Sequence, residues 1–118
     1  MKLNPNTIEA EIRGGKISNE MTFSQQVWAM TARIPAGQVA TYADLARRLR
    51  TKGYRAVGGA LNRNPYAPAV PCHRVVGSDG SLTGFAGGLP KKKQMLSDEG
   101  ISFVGSKVDL RRHRIRAI

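Results

Sequence analysis

Three prolines spaced three residues apart, at positions 65, 68 and 71, constrain this chain more than any other feature of its sequence. Each proline fixes its own φ, lacks a backbone N–H and disfavours helical backbone in the residue before it. Regular structure is therefore excluded between residues 65 and 71, and the chain reaches Cys72 along a rigid path. We expect helices before this segment, and one helix among short strands and turns after it.

Three helices are predicted before the prolines, because apolar residues recur there at helical intervals. The first begins after Thr22 and ends before Pro35. The first two open with the spacing of a capping box, in which two polar side chains three residues apart satisfy each other's backbone N–H groups. The pairs are Thr22 with Gln25 and Thr41 with Asp44. The third helix is predicted over residues 54–62.

The third predicted helix has an unusual composition. Val57 and Leu61 share one face, while Gly58, Gly59 and Ala60 leave the opposite side nearly smooth. A glycine inside a helix costs about 1 kcal/mol relative to alanine, so the pair indicates that another backbone comes close. With the helix before it, this segment outlines a helix-turn-helix, although simple packing of two helices explains the glycines equally well.

The elements after the prolines are predicted to be short. In order, they are a β-prone run at 73–76, a turn at 77–80, a glycine-rich loop at 84–88, a helix that starts near Pro90 and ends at Gly100, and a hairpin of 101–104 with 107–110. Residues 1–21 lack periodicity and are predicted to form a loosely ordered arm with at most one short element, at 8–12. Residues 22–118 are predicted to form one domain, mainly α with small β elements.

The charge of the chain favours a polyanionic partner. Nineteen Lys and Arg oppose eight Asp and Glu, which gives a formal net charge of +11. Nucleic acid is therefore the first candidate partner, with a solvated basic surface as the alternative. The amino terminus lacks the apolar stretch of a secretory signal, and no apolar run approaches the ~20 residues of a membrane span. We expect a cytoplasmic protein with no membrane partner.

Cys72 is the only cysteine, which excludes an intramolecular disulfide and a cysteine-based zinc site. No metal and no cofactor are expected. A lone cysteine is usually a small buried hydrophobe, but His73, Arg74 and the scarcity of nearby acids favour the thiolate, the form that attacks electrophiles. His73 is a candidate acceptor for the thiol proton, directly or through water, and Glu99 is our candidate to orient His73. Adjacent residues on a strand point to opposite faces, so direct contact is not assured.

Four runs of sequence resemble the carboxy-terminal domain of the O6-alkylguanine-DNA alkyltransferases. They are RAVGGALNRNP at 55–65, PCHRVV at 71–76, GFAGGL at 84–89 and LSDEG at 96–100, and the likeness starts at Phe23. The resemblance implies a winged-helix-like DNA-binding domain that flips O6-alkylguanine out of duplex DNA and transfers the alkyl group irreversibly to its cysteine. It also implies binding through the minor groove; a monomer is the default expectation.

The resemblance implies roles for five residues in catalysis. Cys72 matches the alkyl acceptor, His73 the relay of its proton through water, and Glu99 the group that orients the histidine. Tyr42 matches the tyrosine that helps neutralise the departing guanine. Asn64 matches the asparagine that holds the turn between the recognition helix and the active-site segment.

Further residues are predicted to bind DNA or the base. Arg55 matches the arginine that fills the space left by the flipped base. The predicted DNA-contacting set is Arg55, Ala56, Gly58, Gly59, Arg63, Arg74 and Lys92. The predicted base pocket consists of Tyr42, Val75, Leu82, Phe85 and Ala86, of which Phe85 and Ala86 stand where some members of the family have Tyr and Ser.

Three other functions compete with alkyl transfer. The basic segment 107–112 resembles the small alkyltransferase-like proteins, which bind alkylated DNA without repairing it and flag it for nucleotide excision repair, but those proteins usually replace the cysteine with Trp or Ala. A helix-turn-helix regulator without catalytic activity does not explain the run Cys72, His73 and Arg74. A cysteine hydrolase leaves the glycine pair and the charge unexplained.

Overall fold

The computed structural model describes residues 5–85 and 87–118, without the side chain of Pro5. Within these residues, the helices are α1 Pro5–Arg13, α2 Phe23–Thr31, α3 Tyr42–Arg48, α4 Tyr54–Asn62, α5 Leu89–Asp98 and α6 Leu110–His113, with a 3₁₀ helix at Cys72–Arg74. The strands are β1 Ala40–Thr41, β2 Val75–Val76, β3 Phe103–Val104 and β4 Lys107–Val108. Helices before the prolines and short elements after them are the arrangement that the sequence predicts. None of the helices in the described ranges is long and apolar enough to cross a membrane.

Both predicted capping boxes are present. The Thr22 hydroxyl accepts from the Gln25 N–H at 3.2 Å, and the Gln25 side chain accepts from the Thr22 N–H at 2.9 Å. Thr41 and Asp44 make the same reciprocal pair, with both distances at 3.0 Å. Each cap satisfies N–H groups that the first helical turn leaves unpaired, and an N-cap of this kind stabilises a helix by about 1 kcal/mol.

Helix α4 spans the predicted residues, but its faces differ from the prediction at Ala60. Val57, Ala60 and Leu61 are all buried in the main core, so Ala60 does not belong to the smooth side. A residue three positions after Val57 returns to the same face of a helix, and the Trp28 ring N–H donates to the Ala60 carbonyl at 2.7 Å. Apart from the two neighbouring residues and the backbone of α4 itself, no described atom lies within 4 Å of where a Cβ on Gly58 would stand. The backbone approach that the glycines indicate is therefore not made there by any described part of this chain.

The amino-terminal segment is better ordered than predicted. Helix α1 packs on α2, and Ile12 is fully buried with Met21, Ala29 and Val70. Burial of one large apolar side chain contributes about 1.5–3 kcal/mol, which explains why this part of the predicted loose arm is fixed to the domain. Residues 1–4 of that predicted arm lie outside the described residues.

A short parallel pairing joins the two halves of the chain. Ala40 of β1 pairs with Val75 of β2, and Thr41 pairs with Val76. This pairing places the start of α3 beside the segment that carries Cys72. The predicted strand at 73–76 is correct only for its last two residues, because Cys72–Arg74 forms a 3₁₀ helix in which the Arg74 N–H donates to the Pro71 carbonyl at 2.9 Å.

The carboxy-terminal third follows most of the sequence predictions. The turn at 77–80 closes through a 2.9 Å bond from the Gly80 N–H to the Gly77 carbonyl, and α5 carries Pro90 in its first turn. Strands β3 and β4 form the predicted antiparallel hairpin, but Leu110 is not in its second strand. The Asp109 side chain instead caps α6, which begins at Leu110. The chain then returns to Val39, whose N–H donates to the His113 carbonyl at 2.8 Å.

Candidate active site

Cys72 is half-buried on the wall of a cavity of about 270 Å³. The cavity lies between α4, the proline-rich turn, the glycine-rich loop and α5. Its lining residues are Tyr42, Leu61, Asn62, Asn64, Ala67, Pro68, Cys72, Gly84, Phe85, Gly87, Lys91 and Met95. A thiol at the wall of a largely apolar cavity meets a bound molecule without competition from bulk water.

His73, the predicted acceptor of the thiol proton, and Glu99, the residue predicted to orient it, are in direct contact. His73 is 2% exposed, and its Nε2 donates to a carboxylate oxygen of Glu99 at 3.0 Å. A carboxylate accepts hydrogen bonds and does not donate them, so this contact fixes the proton of the neutral ring on Nε2. Nδ1 is then the unprotonated nitrogen, the one that is able to accept a proton.

The environment keeps His73 neutral and Glu99 ionised. Burial lowers the pKa of His73, even though the hydrogen bond and the charge of Glu99 act in the opposite direction. Burial works against ionisation of Glu99 too, but hydrogen bonds from Arg74 and then from His73 hold its pKa below the usual value. A neutral imidazole beside an ionised carboxylate is the state in which His73 serves as a base.

Arg74 is placed differently from its predicted role as a DNA contact. Its guanidinium donates to both carboxylate oxygens of Glu99, at 2.9 and 2.6 Å, and to the Ile34 carbonyl at 2.7 Å. The side chain is 17% exposed, so little of it faces solvent. Bidentate pairing holds a carboxylate in one orientation, and Arg74 therefore fixes Glu99 for its contact with His73.

Asn64 occupies the turn between α4 and Cys72. Its amide donates to the Val70 carbonyl at 2.9 Å, and its side-chain oxygen accepts from the Tyr66 N–H at 2.9 Å. The Cys72 N–H donates to the same Val70 carbonyl at 2.9 Å. One side chain thus ties both ends of the proline-rich turn to the backbone next to the thiol.

Tyr42 brings a hydroxyl to the cavity from the first residue of α3. The hydroxyl donates to the Thr83 carbonyl at 3.2 Å and accepts from the Thr83 hydroxyl at 3.4 Å. Burial raises the pKa of Tyr42; the Thr83 hydrogen bond opposes this shift, and the nearby Cys72 charge adds to it. Tyr42 therefore stays protonated at neutral pH and is available as a hydrogen-bond or proton donor.

Lys92 is not the surface DNA contact that the sequence predicts. It is 1% exposed, and its ammonium donates to the Val75 carbonyl at 2.7 Å and to the Thr83 carbonyl at 2.9 Å. The ammonium also lies 5.9 Å from the centre of the Tyr42 ring. Burial lowers the pKa of Lys92 to about 8, against the attraction of the Cys72 charge. Lys92 joins β2 to the segment that enters the glycine-rich loop.

Of the residues predicted to form a base pocket, two line the Cys72 cavity and two lie elsewhere. Tyr42 and Phe85 line the cavity, but Val75 is fully buried in the main core and Leu82 packs on a second core cluster around Val76. Ala86 lies outside the described residues. Sequence reasoning missed Leu61, Pro68 and Met95 as lining residues. Their signal was weak, because an apolar residue at a helical interval indicates core and not the wall of a cavity.

The remaining predicted DNA contacts lie on the outer side of α4. Arg55, Ala56 and Arg63 are exposed, while Gly58 and Gly59 are half-buried. The Arg63 guanidinium donates to the Ser24 hydroxyl at 3.3 Å, which fastens the end of α4 to the start of α2. This side of the helix has one arginine near each end. Between them lie Gly58 and Gly59, which have no side chains of their own to cover the backbone.

Solved structures share this fold. Mycobacterium tuberculosis OGT in complex with DNA has a TM-score of 0.65 at 33% identity, over 80% of this chain and 64% of that chain. The S. pombe ATL in complex with DNA has a TM-score of 0.66 at 27% identity, over 80% of this chain and 94% of that chain. Fold and site thus define a DNA-binding domain of the alkyltransferase type with a cysteine on the wall of its cavity, which confirms the predicted fold class.

Sequence comparison then gives the family. A family model described as the DNA-binding domain of 6-O-methylguanine DNA methyltransferase matches residues 22–101. The methylated-DNA--protein-cysteine methyltransferase of Methanosarcina mazei is 50% identical over 78 residues, which is 65% of this chain and 49% of that protein. The chain belongs to the 6-O-methylguanine DNA methyltransferase family, as its resemblance predicted. It spans about half the length of the curated relatives it matches.

Proposed function

We propose that this protein repairs DNA by taking an alkyl group from the O6 position of guanine onto Cys72, once per molecule. The observation that carries this proposal is the position of Cys72 on the cavity wall, next to a His73 that Glu99 holds in the base form. The names of the curated relatives and the family membership support the same reaction. The positive charge and the exposed side of α4 suit duplex DNA as the substrate.

Binding requires the damaged base to leave the duplex, because a thiol on a cavity wall does not reach O6 of a stacked guanine. We infer that α4 enters the minor groove, where the bare backbone at Gly58 permits close approach. Arg55, at the start of α4, fills the gap in the base stack. Extrusion costs a few kcal/mol, which contacts to phosphates and the cavity offset, and a weakly paired alkylated base is the cheapest to extrude.

The chemical step is a displacement at the alkyl carbon. The Cys72 thiol gives its proton to His73, through water, and the thiolate attacks the carbon in line with its bond to O6. An S–C bond forms, the C–O bond breaks, and the electron pair stays on guanine. The Tyr42 hydroxyl exchanges its hydrogen bond to Thr83 for one to the base and gives its proton to the departing guanine, which leaves as a neutral species. The tyrosinate then regains a proton from solvent. A thioether has no ready hydrolytic exit, so the protein reacts once.

Intact-protein mass spectrometry tests this proposal. Incubation with a duplex that contains O6-methylguanine should add one methyl group per protein, and peptide mapping should place it on Cys72. Cys72→Ala should bind the same duplex and gain no mass, and an undamaged duplex should leave the wild-type protein unmodified. A methyl group on another residue, or more than one per protein, would contradict the mechanism.

Lesion binding without repair is the second candidate, because the chain matches nearly the whole length of the S. pombe ATL chain. The same experiment separates the two functions. Tight binding to the O6-methylguanine duplex with Cys72 unmodified after long incubation would favour a damage sensor that recruits excision repair. The half-buried thiol at the cavity wall favours transfer, since a sensor has no use for a nucleophile there.

A further inference from the structure

The outer side of α4 carries an aromatic ring that the proposed function does not use. Tyr54 is the first residue of the helix and is 56% exposed, and its N–H donates to the Lys52 carbonyl at 3.0 Å. A single exposed aromatic residue is common on protein surfaces. The position of this ring beside Arg55, on the helix that we place in the groove, is what requires an explanation.

Tyr54 lies in a groove that continues into the Cys72 cavity. The groove is lined by Tyr42, Tyr54, Arg55, Gly58, Asn62, Thr83 and Gly84. Three of these residues, Tyr42, Asn62 and Gly84, line the Cys72 cavity as well. Residues 54, 58 and 62 are four apart and therefore share one side of α4. The ring is thus one helical turn from the bare backbone of Gly58.

The charge around Tyr54 favours nucleic acid as the occupant of this groove. The sequence has no Asp or Glu from residue 45 to residue 78, while Arg50, Lys52 and Arg55 lie within four residues of Tyr54 and Arg55 lines the same groove. These three side chains belong to exposed residues. An aromatic ring among cations is the combination that binds unstacked bases, because the ring offers a stacking surface and the cations hold the phosphates.

We propose that Tyr54 acts with Arg55 when the duplex opens. The Tyr54 ring stacks on a base that is left uncovered when the alkylguanine leaves the helix. This inference rests on the proposed function. Arg55 fills the vacated space, and Tyr54, one residue earlier on the same helix turn, covers the face of an adjoining base. Stacking of this kind lowers the cost of extrusion without any contact to the alkyl group, so it serves all alkylated guanines alike.

Equilibrium binding to an O6-methylguanine duplex tests the role of the ring. The measurement is made in the Cys72→Ala background, so that no transfer disturbs the equilibrium, and it compares Tyr54→Phe, Tyr54→Leu and Tyr54→Ala. Phenylalanine keeps the stacking surface, and the affinity should stay within about twofold. Leucine and alanine remove it, and the affinity should fall about tenfold, as expected for one lost base–aromatic contact. Val104→Ala, at a residue 68% exposed on β3, is the matched control and should bind as tightly as the parent.

The outcomes distinguish this inference from the proposed function. If Tyr54→Ala binds the lesion as tightly as the parent, or if Tyr54→Leu retains the affinity that Tyr54→Ala loses, stacking by Tyr54 is wrong while alkyl transfer stands. If the parent protein does not bind the lesion more tightly than undamaged duplex, both the proposed function and this inference are wrong. Thermal denaturation of each variant verifies folding, since an exposed ring should contribute little to stability.

Discussion

The carboxylate of Glu99 is shared between a neutral ring and a permanent cation. Arg74 holds it from one side and His73 donates to it from the other. Because folding lowers the pKa of Glu99 from its usual 4.5, its contribution to stability is complete above that value and is lost as the pH falls through the lowered pKa. The same carboxylate therefore supports the fold and sets the hydrogen-bonding state of the base.

Glu99→Gln should slow alkyl transfer by about 10²-fold, because an amide orients His73 but does not stabilise the imidazolium that forms when it takes the proton. The rate is measured by mass spectrometry with the O6-methylguanine duplex. Glu9→Gln, which removes an exposed carboxylate on α1, is the matched control and should react at the wild-type rate. A Glu99→Gln protein that reacts as fast as the control would show that His73 acts without its partner.

The lowered pKa of Lys92 predicts that alkaline pH slows alkyl transfer and raises the free energy of unfolding. Transfer should decline as the pH passes about 8, where the Lys92 ammonium beside Cys72 loses its proton. The free energy of unfolding should rise between about 8 and 10.5, because the unfolded chain then binds the proton that the folded protein has released.

Rate profiles and denaturant titrations at several pH values test this prediction. Lys92→Met should lose the alkaline decline in rate, whereas Lys93→Met, at an exposed neighbour, should keep it. A decline that persists in Lys92→Met belongs to another group.

At the acidic end of the rate profile, transfer should become faster as His73 loses its proton. This change should occur at a pH below the ordinary 6.5, because burial lowers the pKa of His73.

The sequence predicts that Cys72, His73 and Glu99 act together, and the structure places His73 and Glu99 in contact, but the sequence does not predict which residues hold them in place. Cys72, His73 and Glu99 were identified from their chemistry and their family motif. Lys92 and Arg74 are predicted to contact DNA, whereas the structure buries Lys92 and most of the Arg74 side chain. Their burial depends on which way a helix face and a 3₁₀ turn point after folding. The one available signal was the spacing of Lys92 four residues before the buried Leu96.

At the scale of elements, a substitution at Gly58 of α4 should affect stability and DNA binding differently. Gly58→Ala should leave thermal stability unchanged or raise it by up to about 1 kcal/mol, because alanine is the better helix former and the added Cβ meets open space. The same change should weaken duplex binding, since the methyl group stands where the groove backbone approaches. Denaturation curves and binding titrations on the O6-methylguanine duplex measure the two effects. Equal binding with raised stability would mean that this side of α4 does not contact DNA.

Elements with a strong local signal were predicted, and those fixed by distant contacts were not. The caps of α2 and α3 need only side chains three residues apart, and the extent of α4 follows from Gly53 and the apolar spacing. Strand β1 has two residues, too few to show any alternation, and its pairing with β2 joins segments 35 residues apart. The 3₁₀ helix at Cys72–Arg74 is a local exception, because it closes on the Pro71 carbonyl, which a β-prone composition does not reveal.

At the scale of the whole molecule, the net charge of +11 predicts steep salt dependence. Affinity for undamaged duplex should fall linearly on a log–log plot between about 50 and 200 mM salt, and loss of one phosphate contact should reduce the slope by about 1. Arg63→Gln should produce this reduction. Arg114→Gln should not, because Asp44 already pairs with that guanidinium. Identical slopes for all three proteins would place Arg63 away from the DNA.

The parallel pairing of β1 with β2 makes the reactive centre a property of the assembled molecule. Tyr42 follows the first of these strands directly, and Cys72 precedes the second by three residues, so the pairing of the two strands brings both side chains to the same cavity. A chain in which β1 and β2 have not yet paired has no cavity beside Cys72, and its thiol is that of an ordinary cysteine. Under the single-turnover reaction proposed above, this requirement confines the use of the thiol to molecules in which the two strands have already paired.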